Sequence, residues 1–161
     1  EHGNEFFRKK ILKRNVSNEK IIEACKILEK FNISYSVNFI LGFPDETREL
    51  AFNSIELCRK IQPDGISVHI FNPYRGTYLR NYSVEKGYIP ENMIANDFFL
   101  DTPMKMAHFP KNELLNLFKV FSMYVKFPEN RWNEIENLEK NFDMKLFEFQ
   151  KLREEFIKTY F

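Results

Sequence analysis

Glycine is scarce, at five residues in 161, and the chain has neither a GxGxxG run nor a glycine-rich loop ending in Gly-Lys-Ser or Gly-Lys-Thr. That removes the two common loop designs that cradle phosphates on backbone N–H groups. Cysteine is scarcer still, with Cys25 and Cys58 alone. Two cysteines build no disulfide framework, and neither has a second Cys or a His at ligand spacing, so no metal site is expected within the chain. Both fall on helix-periodic apolar faces, where a free thiol behaves as a small hydrophobe, and a reducing, cytoplasmic setting fits them. Charge of one sign is lacking too, because 24 Lys and Arg meet 23 Asp and Glu for a net charge of +1. That balance offers no electrostatic case for a nucleic-acid or membrane-surface partner. No apolar run approaches the length of a membrane span, and no signal-peptide pattern occurs. No serine stands in a nucleophile elbow, no HExxH is present, and His2, His69 and His108 are scattered.

What the chain does have is aromatic bulk. Aromatics make up 16% of it, with 18 Phe, so much of the core must be built from rings. Hydrophobic residues at 43% and charged residues at 29% give the profile of a globular protein with a real core. The chain opens on Glu1-His2-Gly3 with no strand before it and reads as though cut from a longer protein.

The pattern predicts a short amphipathic helix over 4–14 and a second helix, capped by Ser17 or Asn18, running to about Lys30. The second helix places Ile21, Ala24, Cys25, Ile27, Leu28 and Phe31 on one apolar stripe. A strand is expected from Ser34 to Leu41, with Tyr35, Val37, Phe39 and Leu41 on one face and Ser36, Asn38 and Ile40 on the other. A helix over 47–61 follows. A turn at Gln62-Pro63-Asp64-Gly65 then leads to a strand over 66–71, with Ile66, Val68 and Ile70 opposite Ser67, His69 and Phe71. A short helix ends near Lys86, with Gly87 placed to stop it. A long loop is expected over 88–109, then a helix over 111–127, then a largely helical stretch to Phe161 that 141–143 can divide in two.

Helix–strand–helix–strand with short connections is the pattern of a parallel sheet. Parallel sheets usually have two apolar faces, so the polar face made by Ser36, Asn38, Ser67 and His69 either lines a lumen beside a ligand or is simply wet. Both strands stop at Gly- or Pro-containing turns, Gly42-Phe43-Pro44 and Pro73-Tyr74-Arg75-Gly76. Ligands in α/β proteins sit beyond such carboxyl ends, and glycine lets a flat ligand approach the backbone. Such turns also use Gly and Pro merely to turn. Asp45 and Glu46 read as helix-capping, dipole-complementing acids, which argues against a bound phosphate.

The order of Glu1-His2-Gly3-Asn4-Glu5, Arg8-Lys9-Lys10-Ile11-Leu12-Lys13-Arg14, Asn38-Phe39-Ile40-Leu41-Gly42-Phe43-Pro44-Asp45-Glu46-Thr47 and Phe71-Asn72-Pro73-Tyr74-Arg75-Gly76-Thr77 resembles the second half of a radical S-adenosylmethionine (radical SAM) core. The likeness is greatest to the group that often carries an N-terminal cobalamin-binding domain. It covers Glu1 to Ile89 and implies an α/β fold: the C-terminal half of a partial (β/α)6 TIM-like barrel of parallel strands over 1–89. A loop and an α-helical extension follow over 90–161.

Residue by residue, the resemblance implies that Glu1 sits beside the SAM ribose and Arg14 pairs with the SAM carboxylate. Asn38 would reach a ribose hydroxyl. Gly42, Phe43 and Pro44 would pack on adenine, with Phe71, Asn72 and Pro73 on the ring's other side. His2 departs from the small residue usual after the first position. The family's CxxxCxxC loop, whose thiolates hold a 4Fe-4S cluster, is missing. The expectation is therefore a fragment of an enzyme whose intact form cleaves SAM to a 5′-deoxyadenosyl radical, or supports radical methylation with cobalamin as a possible further cofactor. Its partners would be the remainder of the parent chain and an unknown substrate. A reading of another class is a non-enzymatic α/β and helical interaction module that self-associates through exposed strand edges.

Overall fold

In a computed structural model, which describes residues 1–94 and 101–160, the chain is α/β with two parallel strands and seven α-helices among those residues. The helices are α1 (Glu5–Lys10), α2 (Asn18–Lys30), α3 (Arg48–Ile61), α4 (Tyr78–Glu85), α5 (Lys111–Lys126), α6 (Trp132–Lys140) and α7 (Leu146–Tyr160), and the strands are β1 (Ser36–Leu41) and β2 (Gly65–Ile70). The pattern placed all of them to within a few residues. Asn4, Ser17, Thr47 and Thr77 cap α1, α2, α3 and α4, each side-chain oxygen accepting from the backbone N–H three residues on. One-turn 3₁₀ segments at 129–131 and 142–144 separate the last three helices, the second where the sequence allowed a break.

β1 and β2 run in parallel with Asn38 beside Ser67, Phe39 beside Val68 and Ile40 beside His69. Glu1 lies along the other side of β1, where its carbonyl accepts from the Ile40 N–H at 3.0 Å. The predicted alternation holds: Phe39, Leu41 and Ile70 are buried, whereas Ser36, Asn38, Ser67 and His69 are exposed. The apolar face packs on α3 and α5. Phe39 meets Phe121 of α5 with ring centroids 5.6 Å apart. α5 in turn carries α6, and Arg48 of α3 reaches across to Glu139 of α6 at 2.9 Å, where the Tyr124 hydroxyl also donates.

One core therefore runs through residues on both sides of position 89, from Phe7 to Phe156. The segment expected as a long loop contributes to it through Ile89, Met104, Met106 and Phe109, all buried. Positions 95–100 of that loop, and Phe161 of the helical stretch, lie outside the described residues. The apolar stripe of α2 is only half covered. Cys25 is buried with Leu57 and Ile61, but Ile27 and Phe31 are 52% and 65% exposed. Periodicity marks the face a helix can bury, not whether something covers it.

Candidate functional site

The carboxyl ends of β1 and β2 open into a cavity of about 510 Å³, within the range of small-molecule sites. Its apolar walls come from Leu12, Ile40, Phe43, Ile70, Phe71 and Leu79. Polar groups enter from Glu1, Arg14, His69, Asn72, Tyr74 and Thr77. Parallel strands make this arrangement, because both turns that follow them emerge on the same side.

Of the residues singled out from sequence, Glu1, Arg14, Phe43, Phe71 and Asn72 line this cavity. Arg14 and Glu1 pair at its rim, Nε to carboxylate at 3.2 Å, and both are well exposed. Phe43 and Phe71 stand ring to ring, 5.2 Å between centroids. No third ring fits between them, so a flat ligand would lie beside the pair, over Ile40 and His69. Asn38, Gly42, Pro44 and Pro73 do not line the cavity. Asn38 sits one residue pair further down the exposed sheet face, beside Ser67. Pro44 and Pro73 are buried. Gly42 has φ +84°, and a Cβ there would stand 2.7 Å from Leu114 Cδ2. Its glycine answers to α5 packing behind the turn rather than to a ligand in front of it.

The turn is held by a residue that sequence reasoning assigned otherwise. Glu46 does not cap α3, a task Thr47 performs. Its carboxylate is fully buried and folds back on the strand end, accepting from the Gly42 N–H at 2.5 Å and the Phe43 N–H at 3.1 Å. The other oxygen accepts from His2 Nε2 at 3.0 Å. His2 Nδ1 takes the Asn4 N–H at 3.0 Å, which fixes the proton on Nε2, and the ring stacks on Phe7 at 4.4 Å. The unusual His2 is thus built into the support of the turn. Asp45, too, is no cap. Its carboxylate accepts from the Tyr82 and Tyr88 hydroxyls. Burial pushes the Asp45 carboxyl up, but the two hydroxyl hydrogen bonds, together with nearby Lys86 and His108, hold the group below the ordinary aspartate value. Tyr82 is pushed up to about 12, chiefly by its hydrogen bond to Asp45. Tyr88 is pushed up to about 12 as well, by burial and then by the same carboxylate.

Arg80 was also missed. It is buried, and its guanidinium donates to the carbonyls of Pro73, Glu91 and Met93 at 3.1, 2.8 and 2.7 Å. It holds the turn after β2 to α4. The two strand-end turns are therefore rigidly backed, and the cavity between them offers a guanidinium, a carboxylate, an imidazole and the rings of Phe43, Phe71 and Tyr74. Such a set suits an organic ligand with an aromatic part and a carboxylate, since an Arg fork matches a carboxylate and the rings match a flat face.

Fold and cavity together define an α/β protein with a ligand-sized site at the carboxyl ends of its parallel strands. No family model matches the chain. An uncharacterized methyltransferase of Pyrococcus horikoshii is 29% identical over 114 residues, 71% of this chain and 24% of that protein. A tRNA-2-methylthio-N(6)-dimethylallyladenosine synthase of Halalkalibacterium halodurans is 30% identical over 79 residues, 48% of this chain and 14% of that protein. A probable threonylcarbamoyladenosine tRNA methylthiotransferase of Pyrococcus abyssi is 31% identical over 84 residues, 49% and 20% of the two. The chain thus spans about a quarter or less of the length of these curated relatives.

Proposed function

We propose that this chain is part of a radical SAM enzyme and forms the ribose, carboxylate and adenine side of its SAM pocket, within the second half of a partial (β/α)6 barrel. One observation carries the reading. Glu1, Arg14, Phe43, Phe71 and Asn72, drawn from four separate sequence segments that resemble the family in order, line one cavity at the ends of two parallel strands. Partial likeness to tRNA methylthiotransferases and to a methyltransferase supports it. So does the Glu1 segment lying along β1, where the preceding barrel strand would end.

The residues present fit SAM. Arg14 at the rim suits the amino-acid carboxylate through a charge-assisted pair, Glu1 beside it suits ribose hydroxyls, and Ile40, Phe43 and Phe71 offer an apolar seat for adenine. They do not fit the iron–sulfur cluster. Cys25 and Cys58 are buried away from the cavity, in the packing of α2 and α3 and in the main core behind the sheet. Burial pushes the Cys58 thiol up to about 12, the opposite of a ligating thiolate. In the family the cluster cleaves SAM to a 5′-deoxyadenosyl radical; here its ligands would come from elsewhere in the parent. The chain alone is accordingly expected to be inactive and to bind SAM weakly at best. A reducing, cytoplasmic setting for the parent goes with this reading, since both cysteines are free thiols.

The deciding experiment takes the intact parent, purified without oxygen and reconstituted with iron and sulfide. Bound iron and release of 5′-deoxyadenosine from SAM are expected, and a cobalamin spectrum would report the further cofactor. A parent that holds no iron and never cleaves SAM refutes the reading. A CxxxCxxC roughly 100 residues before Glu1, from the length of three βα units, is the matching sequence test. The alternative, a self-associating module, has its own support. Among the described residues no strand pairs with the outer edge of β2, and an unpaired edge is the kind that takes up a strand. Sedimentation showing dimers or larger species of this chain supports that reading, and a strictly monomeric profile counts against it.

A further inference from the structure

Two turns wall the cavity, residues 42–45 after β1 and 72–77 after β2, and a single carboxylate couples them. Asp45 has φ +63°, in the left-handed region where a side chain other than glycine is strained. Its side chain reaches across the gap between the two turns. One oxygen accepts from the Tyr82 hydroxyl on α4, the other from the Tyr88 hydroxyl just beyond it. The same helix begins at the second turn, where Thr77 caps it and Arg80 ties it back to the Pro73 carbonyl. Lys86 stands 5.4 Å from the Tyr82 ring centroid, and the His108 ring meets Tyr88 edge-on at 5.8 Å. At the far end of this linkage lie the rings of Phe43, in the first turn, and Phe71, the residue that leads from β2 into the second.

We propose that Asp45 is a positioning residue: through Tyr82 and Tyr88 it locks α4 and the 72–77 turn onto the 42–45 turn, and so builds the Phe43–Phe71 wall that seats an adenosyl ligand. Asp45 itself does not line the cavity. What the clamp serves rests on the SAM reading above; the clamp as a device does not. Glycine at this position would relieve the backbone and lose both hydrogen bonds. A turn selected only for its shape would gain from that change, whereas a turn selected for the clamp would lose its wall.

The test uses the full chain with two readouts. One is the aromatic NMR cross-peak between the Phe43 and Phe71 rings, with the remote Phe127–Phe156 contact at 5.8 Å as internal control. The other is calorimetry with S-adenosylhomocysteine as probe. Asp45→Gly is expected to stay folded, lose the Phe43–Phe71 cross-peak, keep the control cross-peak and bind the probe at least tenfold more weakly. The double variant Tyr82→Phe/Tyr88→Phe, which leaves the turn backbone untouched, is expected to do the same and decides the matter if Asp45→Gly unfolds. Asp45→Asn keeps one acceptor and the same backbone tolerance, and is expected to recover part of both readouts. If the glycine or the double-tyrosine variant retains the cross-peak and the wild-type affinity, the clamp is overturned. If the cross-peak is lost as expected while the variants bind the probe as tightly as the wild-type chain does, the clamp stands and its link to an adenosyl ligand falls.

Discussion

Glu46→Ala is the substitution for which the structure makes the sharpest demand. The carboxylate is fully buried and accepts from the Gly42 N–H, the Phe43 N–H and the His2 ring. Removing it leaves three buried donors with nothing to receive them. Hydrogen bonds to a charged group contribute about 1.5–3 kcal/mol each, yet three on one carboxylate do not simply add. Each buried donor left unsatisfied costs about 1–3 kcal/mol, and with less than full additivity we take about 3–5 kcal/mol as the expected loss for the three. For a chain of this size each kcal/mol shifts the melting temperature by about 2–4 °C, so a drop of about 6–20 °C is expected. Glu46→Gln should be milder, about 1–2 kcal/mol, the scale of one weakened or unmade hydrogen bond. Its carbonyl can still take the two backbone N–H groups, but its amide meets the His2 Nε2 proton head-on. His2 could yield only by moving that proton to Nδ1, which would break its bond from the Asn4 N–H. Urea unfolding of the three proteins, compared at equal m-values, reads the series. An alanine variant within about 1 kcal/mol of wild type, or a glutamine variant less stable than the alanine one, would refute the account of the turn.

Three further outcomes are expected. Gly3→Ala would place a Cβ 2.0 Å from the Asn53 carbonyl oxygen; backbone cannot yield cheaply, so a loss of about 1–3 kcal/mol or more should appear in urea unfolding. Tyr82 and Tyr88 are raised to about 12 in the folded chain, so the fold holds their protons more tightly than the unfolded chain does. Their contribution is fully present below about pH 10, the ordinary tyrosine value, and is lost as pH rises through 12. Tyr82→Phe/Tyr88→Phe should therefore flatten the alkaline fall in stability relative to wild type, and an unchanged slope refutes the assignment. Arg14 and Glu1 form an exposed pair, so Arg14→Gln should change stability by less than about 0.5 kcal/mol. It should nonetheless weaken S-adenosylhomocysteine binding about tenfold, the loss of roughly 1.4 kcal/mol of carboxylate pairing; unchanged affinity in calorimetry removes Arg14 from the carboxylate role.

The elements were legible because their signals are local. Alternation over Tyr35–Leu41 and Ile66–Phe71, Thr47 and Thr77 as caps, and the breaks at 62–65 and 87 are each set by a few neighbouring residues. The cavity was legible in part for a related reason. A parallel strand delivers whatever follows it to one end of the sheet, so Phe43, Phe71 and Asn72 could be placed near one another without knowing the packing. Side-chain direction was not legible in the same way. Asp45 and Glu46 stand at the start of a helix, where acids ordinarily complement the dipole, and nothing local says that they turn back to Tyr82, Tyr88, His2 and the strand end. Tyr82, Tyr88 and His2 lie 37 to 44 residues away, and contacts at that separation are decided by the fold as a whole. The same holds for Gly42. Its positive φ fits a turn, but the neighbour that forbids a side chain is Leu114, in a helix that the resemblance treats as variable.

α5 changes what the division at residue 89 means. A helical extension that merely followed a half barrel would leave the apolar face of β1 and β2 bare beyond α3. Instead Leu114, Leu117 and Phe121 cover that face, Leu114 abuts the Gly42 turn, and the Arg48–Glu139–Tyr124 network joins α3, α6 and α5. α5 thus shares with α3 the covering of the apolar face of the sheet. The segment the resemblance covers least is therefore the one that backs the turn it covers best. A substitution on α5 that shifts Leu114 should disturb the Phe43 side of the cavity before it touches the Arg14 rim.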